Sequence, residues 1–368
     1  MNPTSSNLLL LGIGGSGAAM VRGILRAYGP GVRALILDTD AKSGGSTGDI
    51  PFVLLGGNRL AGQGTGGQPT SARAAFQDNP ALLDAELEGI RTVVVVTSLG
   101  GGTGGGATGE LLKHLHSLGI VTLLFATMPF AFEGAERQRN AKTAAGPIEQ
   151  HADVSVFLPL DDLVADAQTD IMGDALQRAV DTMATGVTLL WRILERPGYI
   201  RLDAERLRNI LMGCGRAHFA TATARGPNRA SALLASLAEM PLLKRDESSP
   251  PVRSILVGVL AGDDLRLSEI AEISSGLSAA FGEKATIELG TVNDEATFSG
   301  RLSTVVLLFE ESATSTRRGL DKDAGKPQSM GERSLAGNSR FRHTDKSTWN
   351  DEDLDIPTYI RRNLTLDR

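Results

Sequence analysis

From Leu8 to Leu158 short apolar runs alternate with amphipathic stretches. Leu8 to Leu11 is continuously apolar and predicts a strand buried on both faces, followed by an apolar-periodic helix to about Tyr28. Arg33 to Leu37, Phe52 to Leu55, Val93 to Val96, Val121 to Phe125 and Val154 to Leu158 read as further strands. Helical patterns open near Thr70 and at Glu110. Strands that alternate with helices imply an α/β fold with a mostly parallel sheet and a ligand at the carboxyl ends of its strands.

From Asp174 to Glu195 the period changes. Leu176, Ala179, Val180, Met183, Val187, Leu190, Trp191 and Leu194 make one stripe, a helix of about six turns. Arg196-Pro197-Gly198 stops it. Ser254 to Leu260, Thr286 to Leu289 and Ser303 to Phe309 then read as strands and Leu267 to Phe281 as a helix, a second α+β domain joined to the first through the long helix. After Glu311 the pattern collapses. Residues 312–350 are rich in Ser, Thr, Gly, Arg and Lys, the composition of a disordered linker. Apolar residues return within 351–368, which reads as a docking peptide that orders on a partner, or else as a sticky terminus.

The length, 368 residues, accommodates two domains and a tail, and an apolar fraction of 41% suits a globular protein. A formal net charge of -6 gives no bulk attraction to nucleic acid. The first residues carry no basic segment, and no apolar run approaches the roughly eighteen residues of a membrane span, so the expected location is cytoplasmic. Cys214 stands alone and is expected to be a small buried side chain. His114 and His116 would point roughly 200° apart on a helix and cannot share an ion, so no protein metal site is expected.

Glycine carries the chemistry. Gly12-Ile13-Gly14-Gly15-Ser16-Gly17 fits G-x-G-x-x-G between a strand and a helix, with Asp38 about 20 residues on. Alone, that segment suggests an NAD-dependent oxidoreductase. A second cluster runs from Gly62 to Gly67, and a third, Gly100-Gly101-Gly102-Thr103-Gly104-Gly105-Gly106, separates the valine strand from the pattern at Glu110. Such loops converge backbone amides on an anion, and a helix N-terminus adds partial positive charge. One dinucleotide needs one such turn; three point to a polyphosphate held from several sides.

Gly100 to Gly106 resembles the GGGTGTG signature of the tubulin/FtsZ superfamily, with Gly105 in place of the second Thr. Pro129-Phe-Ala-Phe-Glu-Gly-Ala-Glu-Arg137 is similar to the PFxFEGxxR segment of its bacterial FtsZ branch, and Ala261 to Glu269 to a stretch of that branch's second domain. Asp355-Ile-Pro-Thr-Tyr-Ile-Arg-Arg362 resembles its tail peptide. The resemblance implies a Rossmann-like parallel-sheet GTPase domain (residues 1–173), a long central helix (174–196), a catalytic loop and following helix (197–216), an α+β C-terminal domain (217–311) and a disordered tail. Gly14, Gly15, Ser16, Gly101, Gly102, Thr103 and Gly104 would then face phosphates, with Thr65 and Gly66 near the terminal one. Glu133 would take the ribose and Arg137 a phosphate; a surface ion pair is the other reading of Arg137. Magnesium would be held mainly by the phosphates.

The sequence departs from the family at functional positions. Val180 stands where an acid or amide reads guanine, with Asp181 roughly 100° round the helix. The catalytic pattern NxDxxD is here Arg201-Leu202-Asp203-Ala204-Glu205-Arg206. Asp203 would orient the attacking water; Arg206, with Glu205 beside it, is either a cation on the phosphate or a filament salt bridge. The resemblance implies a GTP-binding, self-polymerising protein of the bacterial division ring, whose hydrolysis is completed by Asp203 of the neighbouring protomer. Asp355, Ile356, Pro357, Tyr359, Ile360 and Arg361 would dock on a membrane tether. A nucleotide-binding scaffold without hydrolysis, and the oxidoreductase, stand as alternatives.

Overall fold

A computed structural model describes residues 7–29, 31–45, 48–163, 172–195, 198–202, 204–245, 249–282, 284–310, 348–349 and 352–353. Residues 1–320 form one compact unit. In a second unit, residues 321–368, Thr348–Trp349 pairs antiparallel with Glu352–Asp353. Asp203 and the docking residues 355–361 lie outside the described residues.

The larger unit contains a ten-stranded sheet. Its strands are β1 (Leu8–Ile13), β2 (Ala34–Asp38), β3 (Phe52–Leu54), β4 (Thr92–Ser98) and β5 (Val121–Met128). They continue as β6 (Val154–Pro159), β7 (Gly215–Arg225), β8 (Val252–Ala261), β9 (Thr286–Asn293) and β10 (Arg301–Glu310). The order is β3-β2-β1-β4-β5-β6-β7-β10-β8-β9. The first seven strands in that order are parallel, and β10 runs antiparallel to both neighbours. The longer helices are α1 (Gly14–Tyr28), α2 (Pro69–Gln77), α3 (Gly102–Ser117) and α4 (Ala135–His151). Further on come α5 (Met172–Glu195), α6 (Ala204–Leu211), α7 (Arg229–Ala238) and α8 (Leu267–Phe281).

The unbroken apolar strands have a plain cause. Successive side chains alternate between two cores, so a strand covered on both sides is apolar throughout. Leu8, Leu10, Val94 and Val96 join α1 and α5 on one face. Leu9, Leu11, Val93 and Val95 join α2, α3 and α4 on the other. Each side chain buried this fully contributes roughly 1.5–3 kcal/mol. Because α1 and α3 leave adjacent strands for opposite faces, the carboxyl ends of β1 and β4 open a crevice, the ligand position of open α/β sheets.

The second half is attached by more than the long helix. Strand β7, absent from the sequence-based expectation, continues β6 through Val154↔Gly215 and Ser155↔Arg216. It then pairs with β10 from Ala217↔Phe309 to Arg225↔Arg301. Its sequence, GRAHFATATAR, buries Ala217, Phe219, Ala220 and Ala222 with only one large apolar residue, so its hydrophobic signal is weak. At the junction the buried Asp153 carboxylate accepts from the amides of Thr122 (2.9 Å) and Gly213 (3.3 Å). Burial pushes its pKa up. The long helix is seated by glycines: a Cβ on Gly186 would meet Phe219 at 1.7 Å, and one on Gly258 would meet Ile193 at 1.8 Å.

Candidate nucleotide site

Three glycine clusters meet at the carboxyl ends of β1 and β4, each for its own steric reason. Gly12 and Gly17 seat α1: a Cβ on either would come 2.6 Å from a carbonyl oxygen, of Gly17 and Val96 respectively. Gly14 has φ +72, strained for any side chain, and lies 3.4 Å (from its would-be Cβ) from Cβ of Thr103. Gly15 and Ser16 are exposed at the first turn of α1. The Gly62–Gly67 loop closes the third side, since a Cβ on Gly102 would sit 2.0 Å from Oγ1 of Thr65. Gly66 in that loop is exposed.

The third cluster corrects the sequence reading. Gly102 to Gly106 are not a loop ahead of a helix at Glu110; they are the first turn and more of α3. A Cβ on Gly104 would lie 2.1 Å from the Ser98 carbonyl oxygen, and one on Gly106 2.0 Å from that of Pro69. These glycines let α3 press against β4 and α2. Neither α1 nor α3 has a side-chain cap at Ile13 or Gly101, so two helix N-termini open into the crevice without competition for their first amides.

Two hydroxyls and a buried acid complete the floor. Oγ1 of Thr39 lies 2.7 Å from Oγ1 of Thr103, a pairing that the sequence did not single out. The amide of Thr39 donates to Oδ1 of Asp38 at 2.7 Å, and Ser43 Oγ donates to its Oδ2 at 2.6 Å. Both oxygens of Asp38 therefore hold its own turn. The ribose acid that a dinucleotide reading requires is not offered there.

Glu133 and Arg137 stand at the crevice edge. The carboxylate of Glu133 accepts from the Phe130 amide at 2.9 Å and from the Arg137 guanidinium one helical turn on. A Cβ on Gly100 would lie 3.4 Å from Cβ of Arg137, so the exposed guanidinium rises beside the β4–α3 turn. Val180 is placed differently. It packs on α1 at Gly23, where a Cβ would approach its Cγ1 at 3.3 Å. That is nine residues past Gly14, roughly 13 Å along the helix. Asp181 is exposed and accepts from Gln177 Nε2 at 2.8 Å.

Glu205 and Arg206 lie at the far end. Arg91, just before β4, donates to Glu205 Oε1 at 2.9 Å; Arg206 pairs with Glu288 on β9 at 2.7 Å. Arg91 and Gly100 bracket β4, so roughly 25–30 Å of extended chain separates these residues from the glycine crevice. An open cleft of about 770 Å³, lined in part by Arg206, Asn209, Arg253 and Glu288, is at this end as well, not where the glycine clusters converge. Among the described residues no group of His, Cys, Asp and Glu is arranged to hold a metal. His114 pairs with Asp84 and His218 with Glu310. Cys214 is buried, and burial pushes its thiol up to about 11.

A β3-β2-β1-β4-β5-β6 parallel order with uncapped helices at its switch point defines a nucleotide-binding α/β fold. Residues 7–168 match the tubulin/FtsZ family GTPase domain, and residues 215–309 match the FtsZ family C-terminal domain. The cell division protein FtsZ of Pseudomonas putida is 30% identical over 79% of this chain and 73% of its own. That of Pseudomonas aeruginosa is 29% identical over 96% and 88%. An FtsZ dimer from M. jannaschii superposes with TM-score 0.77 at 23% identity, covering 90% of this chain and 96% of that one. CetZ2 from Haloferax volcanii, in a GTPγS-bound protofilament, gives 0.69 at 22% over 83% and 94%. The chain belongs to the tubulin/FtsZ family, a divergent member on its FtsZ branch.

Proposed function

We propose that the chain binds GTP and GDP in the glycine crevice and polymerises head to tail as a cytoskeletal protein of bacterial cell division. One observation carries this reading. The crevice and the helix that follows Asp203 occupy opposite ends of the sheet, so one copy cannot bring both to the same nucleotide, whereas stacked copies can. Two uncapped helix N-termini and the Thr39 and Thr103 hydroxyls suit a polyphosphate. Gly14, Gly15, Ser16, Thr65, Gly66 and Gly101 to Gly104 would surround it, with Glu133 and Arg137 exchanging their mutual pair for ribose and phosphate. A magnesium ion would neutralise phosphate charge and be held chiefly by phosphate oxygens.

Asp203 of the adjoining protomer would orient the attacking water, giving slow, assembly-dependent hydrolysis. Residues 355–361 would tether the filament at the cytoplasmic face of the division site. The reading of a scaffold without hydrolysis draws on one observation: Glu205 and Arg206 are each engaged within their own chain, which leaves Asp203 to act alone. Phosphate release from GTP against protein concentration, with polymer pelleting alongside and ATP as control, separates the two. Turnover that rises cooperatively and tracks the pellet supports the enzyme; polymer without phosphate supports the scaffold. Asp203→Ala should lower turnover about 100-fold with nucleotide affinity unchanged, and unaltered turnover would refute its role.

A further inference from the structure

Glu133 stands at the end of a short turn. Strand β5 stops at Met128 and α4 starts at Ala135; between them Ala131–Glu133 make one 3₁₀ turn, closed by the Glu133 amide on the Phe130 carbonyl at 3.1 Å. Gly134, at φ +99, then turns the chain into α4. A turn this short has too few bonds of its own to fix its peptide planes, so its backbone groups need partners from outside.

Two consecutive peptide planes are held from both edges by side chains. In the first, Gln138 Nε2 donates to the Pro129 carbonyl at 3.0 Å, and the Phe130 amide donates to Glu133 Oε1 at 2.9 Å. In the second, the same Nε2 donates to the Phe130 carbonyl at 2.9 Å, and the Ala131 amide donates to Asp161 Oδ2 at 3.0 Å. Rotation of either plane is therefore resisted at its carbonyl and at its amide. The Glu133 carboxylate hangs on the first plane, so whatever sets that plane sets the carboxylate.

Gln138 is not needed in this way by its own helix. Its backbone amide bonds the Gly134 carbonyl at 3.2 Å in the first turn of α4. Its side chain borders an open groove of about 570 Å³, also lined by Met128, Lys142 and Arg216, which leaves room for a replacement of similar length. The residue type suits the task, since a neutral amide nitrogen carries two donors and reaches two carbonyls at once. Glu133 keeps capacity to spare: an ionised carboxylate has about four lone-pair sites, and the Phe130 amide and Arg137 take one each.

We propose that Gln138 is a positioning residue for the nucleotide sugar: by holding the carbonyls of Pro129 and Phe130 it fixes the plane that aims the Glu133 carboxylate at the ribose hydroxyls. This rests on the ribose role given to Glu133 above. The test titrates the full-length chain with GDP and with 2′,3′-dideoxy-GDP by calorimetry, in wild type, Gln138→Met and Gln138→Glu, with thermal melting to establish folding. Wild type should prefer GDP by about tenfold or more, the worth of a hydrogen bond to a charged group. Gln138→Met keeps the length and loses the donors; it should melt like wild type and bind the dideoxy nucleotide within about twofold of wild type, while its preference narrows to about threefold or less. Gln138→Glu should show the same narrowing, because its added charge acts on both nucleotides alike and cancels in the ratio. If wild type prefers GDP and both variants keep that preference, or lose affinity for the two nucleotides equally, Gln138 does not position Glu133, and the ribose role of Glu133 survives. If wild type binds both nucleotides equally, that role falls and the proposal with it. If wild type binds neither, the nucleotide reading falls as well.

Discussion

The two ends of β4 are built from different materials. At its carboxyl end, backbone meets backbone: glycines without room for a methyl group, uncapped helix amides and a pair of threonine hydroxyls. At its amino end, long side chains meet in ion pairs, with Arg91 at 62%, Glu205 at 52% and Arg206 at 59% exposure and Glu288 more sheltered at 23%. Close-packed backbone cannot yield without moving a helix. Exposed ion pairs are screened and contribute about 0.2–1 kcal/mol each. In this account, binding is fixed by the fold, while the end that meets the next protomer is open to substitution. Divergence at Arg201 and Arg206, against a single Thr-to-Gly departure within the third glycine cluster, fits that division.

Substitutions at the two ends sharpen the contrast. The largest effect is expected from Gly15→Asp. A Cβ there meets nothing within 4 Å, so the chain should fold as before. A carboxylate would then face phosphate, at a cost of several kcal/mol, and nucleotide affinity measured by fluorescence titration should fall about 100-fold or more. Gly104→Ala works by the opposite route, since its methyl group would strike the Ser98 carbonyl oxygen. A loss of about 1–3 kcal/mol in denaturant unfolding is expected, with weakened nucleotide binding following from the displaced helix. At the amino end, Arg206→Ala should cost less than about 1 kcal/mol and shift the assembly concentration only a few-fold, an effect that shrinks in high salt.

A pH titration probes the far turn. Arg229 holds the Glu269 carboxyl below the usual glutamate range by a two-point hydrogen bond. A carboxyl with a lowered pKa adds stability that is fully present above its unfolded value and is lost as pH falls through its folded value. Arg229→Met should therefore flatten the acid limb of the stability profile. Asp153 has the opposite sign: burial raises its pKa, so its contribution is greatest at low pH and declines as pH rises through the folded value.

The parts of this fold legible in the sequence were those where one residue class does one job. The valine run of β4 and the stripe of α5 declare themselves because burial on two faces or one admits little else. Strand β7 was silent because alanine and threonine line it against a glycine-seated helix, where small residues are required but carry no hydrophobic signal. The third glycine cluster was located correctly, but the start of its helix was set too late, at Glu110 where Gly102 opens it. Glycine for a loop and glycine for close helix packing are spelled the same way, and only the neighbouring carbonyls of Ser98 and Pro69 distinguish them. Asp38 had the spacing of a ribose ligand, but its partners Thr39 and Ser43 were nearer at hand.

The central claim, that the nucleotide at one end is acted on by residues at the other end of a second copy, has a direct test by mixing. Asp203→Ala keeps an intact crevice; Gly15→Asp keeps Asp203 and loses nucleotide. Each alone should release little phosphate from GTP. Combined in equal amounts they should regain turnover, because roughly a quarter of random head-to-tail contacts would join a working crevice to a working Asp203. A mixture as inactive as its components, while both still enter polymer with wild type, would contradict the account.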